Sequence, residues 1–423
     1  MPQKATIFTG LVNVDKNLVG TAVIYKKLAD LLVKKGYEVS MVIPQETDLK
    51  DSRINFCLYE DKNNRKLIRS SNLVFFGAYP PPDPLWYAYS RNKTIITYLW
   101  SIAPIGSLEF QDFPERKRQK DLHQFITASY NLSLLVSDKI FCRDEQIKTF
   151  LWGSLTSLGR VNLDNYYKHK KLENMIESAP FGLESTKPKH THDVYRGRFK
   201  NIDHKDLVLI WNGGVWNWND GTTLMEAMKK LKKEKVKLVF QGFKHPDKDQ
   251  GLSQEAKRTW RAAKEKDVVG NNVFFSEEWI PYHQRGNYLT ECDIGVVSSP
   301  DIPEANLFFK TRIYDYLWAE LPIILNDCEA FAPTVRDKGL GLVARTGDAK
   351  DWADKIAKLK KDKKLRDRIK KNIRDHKKEL TWTKTLKPVE KYLEKPSRLG
   401  DKNDADNLLI QKNIEINKKT IFG

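Results

Sequence analysis

Short apolar runs alternate with amphipathic stretches along the chain. Residues 5–9 read as a strand, 11–20 as a loop and 21–35 as a helix, with Ala22, Leu28, Leu31 and Leu32 near helical spacing. Gly36 ends that helix, and 39–43 is the next strand. Further strands are predicted at 73–76, 94–99 and 139–142, and long helices at about 117–136 and 144–158. Strands alternating with helices imply βαβ units and a parallel sheet.

The pattern then restarts. Residues 207–211 form a strand followed by a glycine loop, and Leu224, Ala227, Met228 and Leu231 follow the i, i+3, i+4, i+7 rule. Strands at 237–241, 272–275, 293–297 and 321–325 complete a second half. Between the halves, 178–183 reads as a hinge and the polar stretch 184–204 as a linker. After Thr383 comes one more helix, and 397–423 reads as a polar, partly disordered tail. The expected fold class is therefore α/β: a domain over 1–183, a second over 184–382, a helix at 383–396 and the tail. Open α/β sheets bind ligands beyond the carboxyl ends of their strands, which directs attention to the loops after the strands.

Composition narrows the picture. The 423 residues suggest two or three domains, and 40% hydrophobic with 11% aromatic residues suffices for real cores. No apolar run reaches the roughly 18 residues of a membrane span, and the apolar start is too short for a signal peptide. Cys57, Cys142, Cys292 and Cys328 lie far apart, form no metal-like pair and suit a reducing compartment. The expected location is the cytoplasm, with the inner face of the membrane as a variant of it. A net charge of +18 admits phosphate-rich ligands, anionic membrane surfaces and nucleic acid. Many lysines fall between 350 and 402 at helical spacing among acids, which describes a solvated helix face; peripheral contact of basic patches with a membrane surface is the alternative. Nucleic acid is disfavoured, because no basic stretch is interleaved with exposed aromatics in a known module.

Two segments carry candidate chemistry. The first runs from Trp211 through Gly213, Gly214, Trp216 and Trp218 to Gly221, directly after a strand and before a helix. Adjacent glycines let backbone N–H groups approach an anion, Asp220 or Thr222 can cap the helix, and the tryptophans can stack on a sugar or base. A tight turn with its tryptophans packed on the domain edge is the structural alternative. The second runs from Pro303 to Leu325. Lys310 and Arg312 flank the start of a predicted helix, where the macrodipole disfavours cations, so an anion such as a diphosphate between them would account for both. Asp315, one turn on, can accept two ribose hydroxyls or pair with Arg312.

This second segment resembles the signature of the family-four ("group 1") glycosyltransferases of the GT-B fold. There a Glu-x7-Glu motif opens a helix that leads into a Gly-x-Pro-Val-like strand. Leu321-Pro322-Ile323-Ile324 is similar to that strand, and Asp315 takes the place of the second acid, which in the family binds ribose. The run Lys310-Thr311-Arg312 with Asp315-Tyr316-Leu317-Trp318-Ala319 looks like a branch found among bacterial surface-polysaccharide transferases. The likeness spans most of the chain. Residues 9–25 resemble the N-terminal glycine loop, with Gly20 and Thr21 at its cleft end. Residues 178–183 resemble the interdomain linker, 212–228 the opening of the donor domain, and 272–297 the middle portion, with Tyr282 and Asp293 in matching places. Two features depart from the family. Leu307 stands eight positions before Asp315, and the nearest upstream acid is Glu304, which becomes the candidate donor-sugar contact. The family's Arg and Lys in the first donor-domain loop are missing, so Lys310 and Arg312 are read as having taken over the diphosphate.

The resemblance implies two facing Rossmann-like domains with a C-terminal crossover helix. It implies transfer of a sugar from a nucleoside diphosphate sugar, such as a UDP- or GDP-linked one, to a hydroxyl of a glycan or lipid-linked acceptor. It further implies retention of configuration, no cofactor and no metal. Epimerases and sugar-phosphate synthases share this fold, and a non-catalytic sugar-binding protein is a further alternative. His123, on a long helix of the first domain, is an acceptor-side candidate. Arg143, Asp144 and Glu145 follow a strand end, where capping explains Asp144 equally well. Asp404-Ala405-Asp406 matches a metal-binding Asp-x-Asp but lies in the tail and is read as coincidence. Acceptor specificity is assigned to the loops 77–86 and 100–114.

Overall fold

The computed structural model describes residues 2–18, 20–109, 115–244 and 251–423. They form two compact units. The first gathers the chain up to 108, the stretch to 181 and the segment from Thr383 onward; the second holds Gly182–Trp382, with Glu109.

The first unit is built on a seven-stranded sheet ordered β3-β2-β1-β4-β5-β6-β7. Its strands are β1 (Lys4–Phe8), β2 (Glu38–Ile43), β3 (Ile54–Leu58), β4 (Leu73–Phe76), β5 (Thr94–Leu99), β6 (Lys139–Cys142) and β7 (Ile176–Ser178). Every neighbouring pair is parallel. The sequence pattern omits β3 and β7. Both are edge strands; β3 is half-exposed and β7 has three residues, so neither shows a continuous apolar run. The loop assigned to 77–86 is in part the helix Pro82–Ser90, and 110–114 of the other specificity loop lies outside the described residues.

The end of the chain differs from its sequence reading. The helix expected over 383–396 is two short ones, Trp382–Thr385 and Lys387–Glu394, the second with Pro388 in its first turn, which has no N–H to continue the first. The expected tail folds as the helix Leu408–Phe422, which packs along Arg116–Val136. Ile410 and Ile414 enter the same core as Leu132, Leu135 and Val136. The segment reads as polar because its charges are buried in pairs rather than solvated. The Arg160 guanidinium meets Asp401 at 3.0 Å, and Lys402 Nζ meets Asp138 at 2.7 Å, all four side chains being buried. Asp404 and Asp406 form an ordinary turn, the Asp404 carboxylate accepting the Asp406 N–H.

The second unit has a six-stranded sheet ordered β10-β9-β8-β11-β12-β13. Its strands are β8 (Leu207–Asn212), β9 (Val236–Gln241), β10 (Val273–Ser276), β11 (Ile294–Val297), β12 (Ile323–Asn326) and β13 (Gly341–Ala344), again all parallel. The predicted linker 184–204 is an ordered strap on this unit. Glu291 accepts the N–H groups of Val194, Tyr195 and Arg196, and the buried Tyr195 hydroxyl donates to Gln241. The lysine-rich stretch forms the helices Ala349–Lys361 and Lys363–His376, which bury Trp352, Ile356, Ile369 and Ile373 and leave most of their lysines outward. Among the described residues no helix is long and apolar enough to cross a membrane. All four cysteines are free.

Candidate functional site

Three adjacent strands of the second sheet, β8, β11 and β12, end close to the residues singled out above. β8 and β11 pair through only two residues, Leu209 and Ile210 opposite Ile294 and Gly295. The Tyr316 hydroxyl fills the gap they leave. It accepts the Asn212 N–H at 3.1 Å and faces the carbonyls of Ile210 and Val296 at 2.9 and 3.1 Å. Gly295 makes room for it, since a Cβ there would stand 2.3 Å from the Tyr316 ring. A short helix, Arg312–Trp318, is thereby pinned across the strand ends.

The glycine loop after β8 is arranged otherwise than the anion cradle expected. Gly213, at φ +96°, gives its N–H to Gln241. The Gly214 carbonyl turns inward, accepting Trp211 Nε1 at 3.2 Å and Arg312 Nη2 at 2.7 Å. Trp216 and Trp218 are half-buried neighbours, 6.2 Å between ring centroids, and the Trp216 ring lies on Gly214 so closely that a Cβ would meet it at 2.4 Å. Asp220 caps the following helix through the Thr223 N–H.

Arg312 is buried and stacks on the Trp211 ring at 4.4 Å. Its Nη1 has no hydrogen-bond partner among the described residues. Burial pushes its guanidinium down to about 10, which leaves it charged at neutral pH. Thr311 precedes it as the N-terminal residue of the helix and makes no side-chain cap. Asp315 does not pair with Arg312. Its oxygens meet Arg285 Nε at 3.0 Å and Asn212 Nδ2 at 2.9 Å. Burial raises its carboxyl, with Arg285 and Asn212 opposing. Arg285 is itself held between the rings of Tyr282 and Trp318, at 3.5 and 4.1 Å.

Lys310 is buried and forms an ion pair with Glu304, so these two predicted residues do meet. A third carboxyl, Glu329, follows β12 in the same neighbourhood. Burial raises it and the Lys310 charge opposes. One of its oxygens accepts the Ser299 hydroxyl, and the other has no partner among the described residues. Asn326 accepts the Ser299 N–H at 2.9 Å and leaves its own Nδ2 unpartnered in the same sense. Arg312, Glu329 and Asn326 thus each keep one buried polar atom without a partner among the described residues, and a buried polar atom left unpaired costs about 1–3 kcal/mol.

The remaining candidates fall in the first unit. Gly20 has φ +55°, and Thr21 is buried at the start of the helix Ala22–Lys34. His123 is half-buried, its Nδ1 2.8 Å from the Ser107 hydroxyl. Asp144 caps the helix Glu145–Ser157 and pairs with Arg143. Sequence reasoning missed Asn212, Arg285, Ser299, Asn326 and Glu329. Four of them sit at or just beyond a strand end, so the carboxyl-end rule could have found those four; Arg285 lies on no such loop. One further group, His190, Asp193 and Glu291, converges closely enough for a metal, but the Glu291 carboxylate is already committed to the strap.

Residues 198–376, most of the second unit, match the family model described as Glycosyl transferases group 1. A comparison with curated proteins returns no match. Among solved structures, sucrose-phosphate synthase from Thermosynechococcus elongatus is similar with a TM-score of 0.64 at 15% identity, covering 93% of this chain and 98% of that one. HepE of Anabaena, in complex with UDP and glucose, gives 0.63 at 9% identity, over 93% and 99%. WaaG, a glycosyltransferase involved in lipopolysaccharide biosynthesis, gives 0.57 at 12%, over 93% and 100%. At such identities the likeness speaks to the fold, which is that of the GT-B glycosyltransferases. Arg312, Lys310, Glu304, Asp315 and Glu329 all lie inside the matched segment.

Proposed function

We propose that the protein transfers a sugar from a nucleoside diphosphate sugar to a hydroxyl of a glycan or lipid-linked acceptor, with retention of configuration and without a metal or cofactor. The observation that carries this reading is the buried Arg312 guanidinium, whose Nη1 has no hydrogen-bond partner among the described residues, between Lys310 and Asp315 at the ends of β8, β11 and β12. Lys310 and Arg312 hold the diphosphate and supply positive charge where negative charge grows on the leaving group. Asp315 accepts ribose hydroxyls, the Gly213–Trp218 loop lies against the base, and Glu304 contacts the donor sugar. As the bond from the anomeric carbon to the diphosphate oxygen breaks, the acceptor oxygen bonds to that carbon. The acceptor proton passes to the departing diphosphate, which accounts for the lack of a dedicated base in this reading. The acceptor is assigned to the first unit, with His123 and the Gly20-Thr21 turn as candidate contacts. The enzyme is expected in the cytoplasm, with basic patches able to bring it to the inner face of the membrane.

A thermal-shift screen against nucleoside diphosphates and their sugars tests this directly. Since the solved HepE structure holds UDP and glucose, uridine donors are the first to try. A ligand at 100 times its Kd stabilises by about 2.7 kcal/mol. No stabilisation by any nucleotide sugar, and no transfer of labelled sugar, would remove the reading. Free sugar or sugar phosphate as the product would point instead to an epimerase or synthase.

A further inference from the structure

Arg285 opens the short helix Arg285–Thr290 that precedes β11. Its Nε donates to one Asp315 oxygen at 3.0 Å, and its Nη1 donates to the Tyr282 carbonyl at 2.7 Å. The guanidinium lies between the rings of Tyr282 and Trp318, so both of its faces are covered. The strap that opens the second unit fixes both rings in turn. The Tyr282 hydroxyl donates to Glu184 at 3.0 Å, and Trp318 Nε1 donates to the Thr186 carbonyl at 2.6 Å.

A guanidinium stacked on both faces and bonded through two nitrogens has one orientation, and so has the carboxylate it holds. From the end of β8, Asn212 Nδ2 donates to the other Asp315 oxygen at 2.9 Å. Each oxygen keeps a further lone pair for a hydroxyl. The Asp315 side chain exposes 27% of its surface, so a ligand can reach it. Charge acts alongside direction. Desolvation raises the Asp315 carboxyl, and the Arg285 charge is the largest opposing influence. Arg312, on the same helix as Asp315, opposes more weakly. The Tyr282 and Tyr316 hydroxyls also face the carboxyl, and burial pushes both up, so they stay neutral.

We propose that Arg285 is a positioning residue of the donor site: clamped between Tyr282 and Trp318, it fixes the Asp315 carboxylate toward the paired hydroxyls of a ribose, so that the site selects ribonucleoside diphosphates over those lacking these hydroxyls. The proposal rests on the reading of Asp315 as the ribose contact. Arg285 itself touches no donor atom and acts through Asp315.

The test is calorimetric titration of the full chain with UDP, GDP, their dideoxyribose forms and inorganic pyrophosphate. Pyrophosphate has no ribose and reports the diphosphate contacts alone. Arg285→Met keeps an aliphatic filler between the rings and removes the charge and the fork. It should weaken the better ribonucleotide about tenfold and cut its preference over the dideoxy form to within about twofold. Pyrophosphate affinity should stay within about twofold. Arg285→Lys keeps the charge without the planar fork and should recover part of the preference. Trp318→Leu removes one side of the clamp and should give an intermediate loss, which keeps the comparison open if Arg285→Met does not fold. A second readout needs no ligand: the carboxyl signals of labelled aspartates are titrated by NMR, Asp315 being assigned by its loss in Asp315→Asn. Without the Arg285 charge the Asp315 titration should move to higher pH in Arg285→Met and much less in Arg285→Lys. An unchanged ribose preference, an unmoved Asp315 titration, or pyrophosphate weakened as much as the ribonucleotide would each overturn the proposal. Those results count against Arg285 in a protein that still binds UDP or GDP. Failure of the unmodified protein to bind any nucleoside diphosphate would instead remove the transferase reading, and the ribose role with it.

Discussion

Arg312 gives Nη2 to the Gly214 carbonyl at 2.7 Å while Nη1, equally enclosed, has no hydrogen-bond partner among the described residues. Half of the fork therefore holds the glycine loop and half is left over. Stacking on Trp211 fixes the plane of the guanidinium, so the spare donor has a set direction. Arg312→Ala should lower kcat/KM by about a hundred- to a thousandfold, the scale seen when a donor to a growing negative charge is removed. Arg312→Lys should recover little, because an ammonium cannot serve Gly214 and an oxyanion with the same planar fork. Steady-state kinetics on the two variants checks this, and near-normal turnover in both would move the diphosphate elsewhere.

Asp315 is oriented from two sides, by Arg285 and by Asn212, each of which takes one of its oxygens. Asp315→Ala should raise the donor KM about tenfold, roughly 1.4 kcal/mol, and change kcat much less, as expected for a contact equal in ground and transition states. Its carboxyl is raised by burial above the ordinary 3.8. As the pH falls, it is therefore protonated earlier than an exposed aspartate and can no longer accept two hydroxyls. Donor affinity should fall with decreasing pH through a window above 3.8. Asp315→Asn should lack that limb in a titration of affinity against pH.

Much of this arrangement was legible in the sequence for a physical reason. Strands β1, β2, β8 and β9 are buried on both faces and read as continuous apolar runs, and the loops after them follow from the carboxyl-end rule. Lys310 and Arg312 stood out because cations at a helix start conflict with the macrodipole. The pairings were not legible. Nothing in the spacing says that Asp315 faces Arg285, thirty positions upstream, rather than Arg312 on its own helix. The tail was misread for a related reason: Asp401 and Lys402 look solvated in sequence and are buried by partners 241 and 264 positions away, Arg160 and Asp138. Local pattern reports faces and turns, whereas long-range charge pairing is decided by topology.

Glu304 tests the irregular acid spacing. Its carboxylate is paired with Lys310 beside the raised carboxyl of Glu329. Glu304→Gln keeps the size and a hydrogen bond to Lys310 and removes the charge. If Glu304 steadies the donor sugar as positive charge develops on it, kcat should fall on the order of a hundredfold with nucleoside diphosphate affinity within about threefold. Wild-type kcat in this variant would make Glu304 a holder of Lys310 and nothing more.

The buried charges at the chain's end make a prediction about pH and stability. Lys402 is fully buried against Asp138, and its Nζ also donates to the Val136 carbonyl. Desolvation outweighs the Asp138 attraction and brings its ammonium from 10.5 down to about 8. Between these two values the unfolded chain holds a proton that the folded one has released. Folding stability from this group therefore rises with pH across about 8 to 10.5, by on the order of 3 kcal/mol at most. Below about 8 both states carry the proton and the slope vanishes. Lys402→Met should flatten the rise in a series of chemical denaturations over that range. Asp401→Ala, in contrast, should cost about 3–5 kcal/mol at every pH in the range, because it strands Arg160 as an uncompensated buried charge. Arg160 also donates to the carbonyls of Leu134, Leu135 and Ser137 at the end of the helix Arg116–Val136. Loosening it should thus appear first as faster amide exchange in that helix and in the helix Leu408–Phe422 packed along it, before the second unit is affected.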